Sequence, residues 1–288
     1  MKGFGNIILL SAGLLVIILG TIILKNNNFA PDGADAASNI IVEKDISYGN
    51  LPKQKLDLCK PINISGKVPG VILIHGGGGD KSDFLNACKY LAKNGFIAIT
   101  VNFRESPPPS WKVILEDNRN ALVWLKARSN VDSEKIGAMG GSAGGYVASI
   151  MGTSEFDNKV NCVENNFGPT DFTDEEWEEG PLYDEFVAKF FGGVTYEENP
   201  ELYKQLSPIT HVSSSDANPW LFTRSTNDQL VPRSQMTRMI DALENVGIST
   251  EFYEYEGTGG GHANNLPPLK ALQLFNKRIN FLVACLNK

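Results

Sequence analysis

Apolar and polar positions along the chain alternate between short apolar runs and longer amphipathic stretches. Ile40 to Ile46 and Lys53 to Leu58 read as strands, with Gly49-Asn50 and Pro52 marking a turn between them, so they form a hairpin at a sheet edge. Val68 to Ile74 and Phe96 to Val101 are continuous apolar runs, the pattern of strands covered on both faces. Asp80 to Asn94 is a helix between them, ended by Gly95. Arg104 to Trp111 holds too much proline for helix or sheet. A long amphipathic helix follows from Lys112 to Arg128, with Val113, Leu115, Leu122, Val123 and Leu125 on its apolar side. Ile136 to Met139, Lys159 to Val163, Trp220 to Thr223 and Thr250 to Glu254 complete the strands. The helices Arg233 to Val246, closed by Gly247, and Pro267 to Cys285 accompany them. Strands alternating with helices predict an α/β fold: a doubly wound, mainly parallel sheet of about eight strands, with helices on both faces and right-handed crossovers.

Two segments depart from that rhythm. Ile7 to Leu24 is a nearly unbroken apolar run preceded by Lys2, at about eighteen residues long enough to cross a bilayer. Ala34-Asp35-Ala36 is a small-x-small cleavage pattern, but it lies far from the run. That distance favours an uncleaved membrane anchor over a cleaved signal peptide. Lys2 and the α-amine precede the run, and Asp32 and Asp35 follow Lys25, which directs the globular part outside the cytoplasm. Residues 1–38 are therefore an anchor or signal plus a linker, and residues 39–288 are the folded domain. The second segment, Phe172 to Ser215, is acidic from Asp174 to Glu179 and carries Tyr183, Phe186, Phe190 and Phe191. It reads either as a small helical insertion walling a site at the sheet's C-terminal edge or as a solvated connector.

Composition narrows the function. The chain has 288 residues, 42% of them hydrophobic and 20% charged, which suits one large domain with a sizeable core. A net charge of −7 argues against a nucleic-acid partner, which requires clustered Lys and Arg. The three histidines are His75, His211 and His262, so the search for an imidazole base is short. The cysteines are Cys59, Cys88, Cys162 and Cys285, none in a C-x-x-C, and nothing in their spacing supports a metal site. They are expected as small buried apolar residues, or as one or two disulfides if the domain is exported.

The chemistry centres on Gly140-Gly141-Ser142-Ala143-Gly144, between an apolar strand and a stretch that reads as a helix. A Ser between glycines on a strand-to-helix turn is the nucleophile-elbow arrangement. Acyl transfer from an ester also needs a base, an acid to orient it, and donors for the oxyanion. His262, on the glycine loop after the last strand, is the candidate base, and Asp228, after the Trp220 to Thr223 strand, the candidate acid. Asp171 also follows a strand and is the rival for that role. The loop Gly76 to Gly79 supplies backbone amides unobstructed by Cβ atoms. The amide of Gly77 or Gly78, with that of Ala143, is the candidate oxyanion pair.

His75-Gly76-Gly77-Gly78, Gly140 to Gly145, Asp228-Gln229-Leu230-Val231-Pro232 and Gly261-His262 together resemble the α/β-hydrolase superfamily, specifically its carboxylesterases with an HGGG-type loop. Phe167-Gly168-Pro169-Thr170-Asp171-Phe172 and Ser207 to Val212 look like the branch containing bacterial feruloyl and acetyl-xylan esterases. The resemblance covers nearly everything from Ile40 to Lys288. It implies a serine esterase acting on short acyl, acetyl or feruloyl esters of a carbohydrate or small alcohol, without metal or organic cofactor. Arg224-Ser225-Thr226 stands where the family usually has His-Gly-Thr, a departure that bears on the pocket rather than on the triad. Two other functions remain open: a serine peptidase or amidase of the same fold, and a catalytically silent hydrolase fold serving as a binding module.

Overall fold

The sheet is assembled outward from the apolar runs. In the computed structural model the described residues are 39–153, 160–257, 262 and 266–288. The Ile7 to Leu24 run lies outside them, and among the described residues no helix is long and apolar enough to cross a membrane. The strands are β1 (Ile40–Ser47), β2 (Lys55–Pro61), β3 (Val68–Ile74), β4 (Ile97–Val101), β5 (Val131–Gly141), β6 (Cys162–Asn166), β7 (Trp220–Ser225) and β8 (Thr250–Tyr255). They form one sheet in the order β1-β2-β4-β3-β5-β6-β7-β8. The β1/β2 and β2/β4 pairs are antiparallel and the other neighbours parallel, so the hairpin lies at the edge, as its turn residues predict.

Period-two alternation sorts the side chains of β3 between two cores. Val71 and Leu73 pack with α1 (Leu85–Lys93) and α8 (Pro268–Leu286), through Cys88, Leu91, Ile279 and Leu282. Ile72 and Ile74 point the other way, toward α2 (Ser110–Lys126), α3 (Ala143–Gly152) and α7 (Ser234–Asn245), through Leu122, Val147 and Met239. Burying both faces explains the unbroken apolar runs.

One strand is displaced from its sequence expectation. The run Lys159 to Val163 predicts a strand there, but β6 is Cys162–Asn166. Its last three residues, Glu164, Asn165 and Asn166, are polar and buried, so they escape a reading based on hydrophobicity. Each has a partner. Asn165 Oδ1 accepts the Gly168 amide at 2.7 Å, and Asn166 Oδ1 accepts the Thr223 hydroxyl at 2.8 Å. Glu164 receives Arg278 Nε and Nη2 of α8, both at 2.8 Å. Burial pushes the Glu164 carboxyl up, while the Arg278 charge pulls it back.

The cysteines are not free. Cys59 joins Cys88, tying β2 to α1, and Cys162 joins Cys285, tying β6 to α8. Of the two expectations, disulfides hold and four separate apolar thiols do not: each couple meets across one sheet–helix interface, with Cys59, Cys88 and Cys162 buried and Cys285 partly buried. The helix α8 is thus attached to β6 both covalently and by an ion pair.

The segment from 172 to 215 packs against the core. It forms α4 (Glu175–Glu178), α5 (Tyr183–Glu185), a π-helical turn (Phe186–Phe190), α6 (Pro200–Leu206) and a 3-10 turn (Pro208–His211). Trp177, Phe190, Phe191, Tyr203 and Leu206 are buried in the same core as α2 and α3.

Arg278→Met leaves the Glu164 carboxylate buried without its cation. That change should cost about 3–5 kcal/mol in denaturant unfolding. The double change Glu164→Gln with Arg278→Met should cost less than Arg278→Met alone.

Candidate active site

The site is built at the C-terminal ends of the parallel strands, where α/β sheets place their ligands. β5 ends at Gly141 and α3 starts at Ala143, so one residue makes the turn. That residue, Ser142, has φ 53° and ψ −121°, a conformation costing a non-glycine residue roughly 1–3 kcal/mol. Hydrogen bonds hold it there. Its amide donates to Asn166 O of β6 at 2.9 Å, and its carbonyl accepts the Tyr146 amide at 3.0 Å. The turn also needs close approach to β3. A Cβ on Gly144 would collide with the carbonyl oxygens of Ile74 and His75, so the elbow lies against the start of the glycine loop. A Cβ on Gly76 would stand 3.4 Å from that of Ser142.

His262, between β8 and α8 in the chain, meets Ser142. Its Nε2 lies 2.7 Å from Ser142 Oγ. Its Nδ1 lies 3.0 and 3.1 Å from the two carboxylate oxygens of Asp228. The side chains of His262 and Asp228 are 12% and 1% exposed, so the imidazole touches solvent only at its edge while the carboxylate is sealed beneath it. Phe167, itself at φ 47°, packs edge-on against the imidazole with ring centroids 4.7 Å apart.

Asp228 is held as an anion. Burial would raise its carboxyl, but the hydrogen bond and charge of His262 and the amides of Val231 and Leu230 outweigh that and hold it below the usual carboxylate range. Its loop is anchored on both sides. Asn227 Nδ2 donates to Gly257 O at 2.9 Å, and Arg224 Nη1 pairs with Glu254 at 3.1 Å. The ion pair at Arg224 stands where the resembled family usually has His. The sequence marks Phe167 only as part of the Phe167 to Phe172 motif and Arg224 only as a departure before Asp228; neither contact can be read from those motifs.

The alternatives are committed elsewhere. Asp171 is buried, pairs with Arg238 Nη2 at 2.7 Å, and accepts the amide and hydroxyl of Thr173. His75 is stacked on Phe103 at 4.2 Å, and burial lowers its pKa to about 4, so it stays neutral. His211 Nε2 bonds Gln205 O, within the insertion. Gly77 and Gly78 are exposed at the site, and Gly78 N–H donates to Glu105 Oε1 at 2.9 Å. Among the described residues no group of acidic, His or Cys side chains is placed to hold a metal ion.

A family model described as BD-FAE matches residues 56–243, from β2 to the end of α7. The chain belongs to the BD-FAE family. It is 29% identical over 230 residues to the probable carboxylic ester hydrolase LipM of Mycobacterium tuberculosis, covering 73% of this chain and 53% of that protein. It is 26% identical over 266 residues to esterase LipC of the same organism, covering 82% of this chain and 64% of that one. The BD-FAE chain thus spans between half and two-thirds of the length of these relatives. Among solved structures, the truncated carbohydrate esterase from gut microbiota superposes with a TM-score of 0.71 at 22% identity, over 89% of this chain and all of that one. The fold is the α/β-hydrolase fold.

Asp228→Asn breaks the charged bond to His262 Nδ1. The low-field imidazole proton resonance expected in the parent should disappear in this variant and persist in Asp171→Asn. Asp171→Asn should instead lower stability by about 1–3 kcal/mol through its stranded donors.

Proposed function

We propose that the chain is a serine hydrolase of carboxylic esters. The observation that carries this reading is the continuous hydrogen-bonded line from Ser142 Oγ through His262 to Asp228, set at the C-terminal ends of the parallel strands with Ser142 half-buried. In this mechanism His262 Nε2 takes the Ser142 proton as Oγ attacks the ester carbon. The developing oxyanion falls to backbone amides of the glycine loop and of Ala143. His262 then returns the proton to the departing alcohol, and water repeats the sequence to release the acid. Asp228 stabilises the imidazolium and fixes its tautomer, and nothing requires it to take the proton itself.

The substrate is a short acyl, acetyl or feruloyl ester of a carbohydrate or small alcohol. The aromatic insertion supports that reading as a wall beside the elbow: Tyr146, one turn beyond Ser142, packs on Phe172 and Phe190 at 5.3 and 5.4 Å. The carbohydrate-esterase title of the superposed structure supports it as well. The domain works outside the cytoplasm, exported or anchored through the Ile7 to Leu24 run. Two disulfides in a chain of this size favour an oxidising compartment.

Hydrolysis of p-nitrophenyl esters of increasing chain length, beside p-nitroanilides, tests the reading. Short acyl esters should turn over best, and Ser142→Ala should lower kcat by roughly 10⁶-fold. Anilides cleaved faster than esters would move the activity to amide hydrolysis, and Ser142→Ala with undiminished turnover would remove the nucleophile.

A further inference from the structure

Glu105 lies on the proline-rich loop between β4 and α2, where no motif marks it, yet its carboxylate is laid across the glycine loop. Oε1 accepts the Gly78 amide at 2.9 Å and would stand 3.7 Å from a Cβ on Gly77. This placement is built rather than incidental. The preceding residue, Arg104, is clamped to Asp117 of α2: its backbone amide and its Nε both donate to Oδ2 at 2.9 Å. Asp117 is fully buried and also receives Gln54 Nε2 at 2.7 Å. With Arg104 fixed at both backbone and side chain, the chain has little freedom in where it presents Glu105.

The glycine loop needs such a support. Gly78 has φ 72°, and Gly79 closes the turn through a 3.1 Å bond from its amide to Gly76 O. Gly77 and Gly78 are exposed, so no packing holds the segment from above. A mobile pair of amides would have to be ordered at the moment charge develops, which is the cost that preorganised donors avoid. No hydrogen bond within the described residues uses the amides of Gly77 and Ala143. The Gly78 amide, by contrast, is already taken.

We infer that Glu105 is a positioning residue of the oxyanion loop: by accepting the Gly78 amide it fixes the turn so that Gly77, with Ala143, is left to bind the oxyanion. This rests on the ester-hydrolase reading of the site. It also divides the glycine pair, giving Gly77 to the substrate and Gly78 to the scaffold. Glu105 is exposed at the surface, with its carboxyl directed onto the Gly78 amide; partial desolvation of that carboxyl raises its pKa, against the pull of the Gly78 amide and of Lys53 and Lys189. What the loop needs from Glu105 is an acceptor oxygen, and an amide side chain supplies one without the charge.

The test is steady-state kinetics of the full chain on a short p-nitrophenyl ester, with Glu105→Ala, Glu105→Leu and Glu105→Gln beside the parent. Glu105→Ala and Glu105→Leu should each lower kcat by roughly 10–100-fold with KM nearly unchanged, less than the loss of a donor itself. Glu105→Gln should restore kcat to within about threefold of the parent. Two truncations of different volume keep the test decisive if one fails to fold. Truncations with unchanged or raised kcat would make the carboxylate an idle or obstructing group, and Glu105→Gln as impaired as Glu105→Ala would tie the effect to charge; either result overturns the inference. A folded parent without ester turnover would instead overturn the functional reading beneath it.

Discussion

Everything at the site depends on a single strained residue. Ser142 sits at positive φ because the chain must leave β5 and enter α3 without an intervening loop. The conformation persists because its neighbours over-determine it: a backbone bond to β6, the first turn of α3, and contact between Gly144 and the end of β3. The same contact brings the Ser142 turn and the glycine loop together. A side chain at 144 would collide with the carbonyl oxygens of Ile74 and His75 and push the Ser142 turn off the end of β3.

The His262 imidazole reaches this corner by a longer route. His262 belongs to the connection between β8 and α8, and α8 is tied to β6 by Cys162–Cys285 and by the buried Arg278–Glu164 pair. β6 also supplies the carbonyl that holds the Ser142 amide. One strand therefore registers both the Ser142 turn and the helix that follows His262. The polar interior of β6, with Glu164, Asn165 and Asn166 each partnered, serves that joint. A buried ion pair is a weak source of net stability, but it fixes which turn of α8 faces the sheet.

Much of this was legible in the sequence. The apolar runs of β3 and β4 and the turn residues of the β1/β2 hairpin carry their own structural signal, and the elbow, the glycine loop and His262 are marked by residue type and spacing. The rest was hidden for physical reasons. β6 was displaced because its buried end is polar, and burial there depends on partners distant in sequence. Asp171 and Asp228 both follow strands, and only their tertiary surroundings separate them: one meets Arg238, the other His262. The disulfide pairing depends on which helix covers which strand. Glu105 lies in a loop without periodicity, and its position is set by Arg104 and Asp117.

The central claim is that Ser142 is a nucleophile activated by His262. Its most direct measurement is covalent labelling of the folded protein with a fluorophosphonate, read by intact mass and peptide mapping, with His262→Ala alongside. The account predicts a single adduct on Ser142 in the parent and a labelling rate lower by orders of magnitude in His262→Ala. An unlabelled Ser142 in folded protein, or labelling indifferent to His262, would contradict it and leave the fold as a binding module.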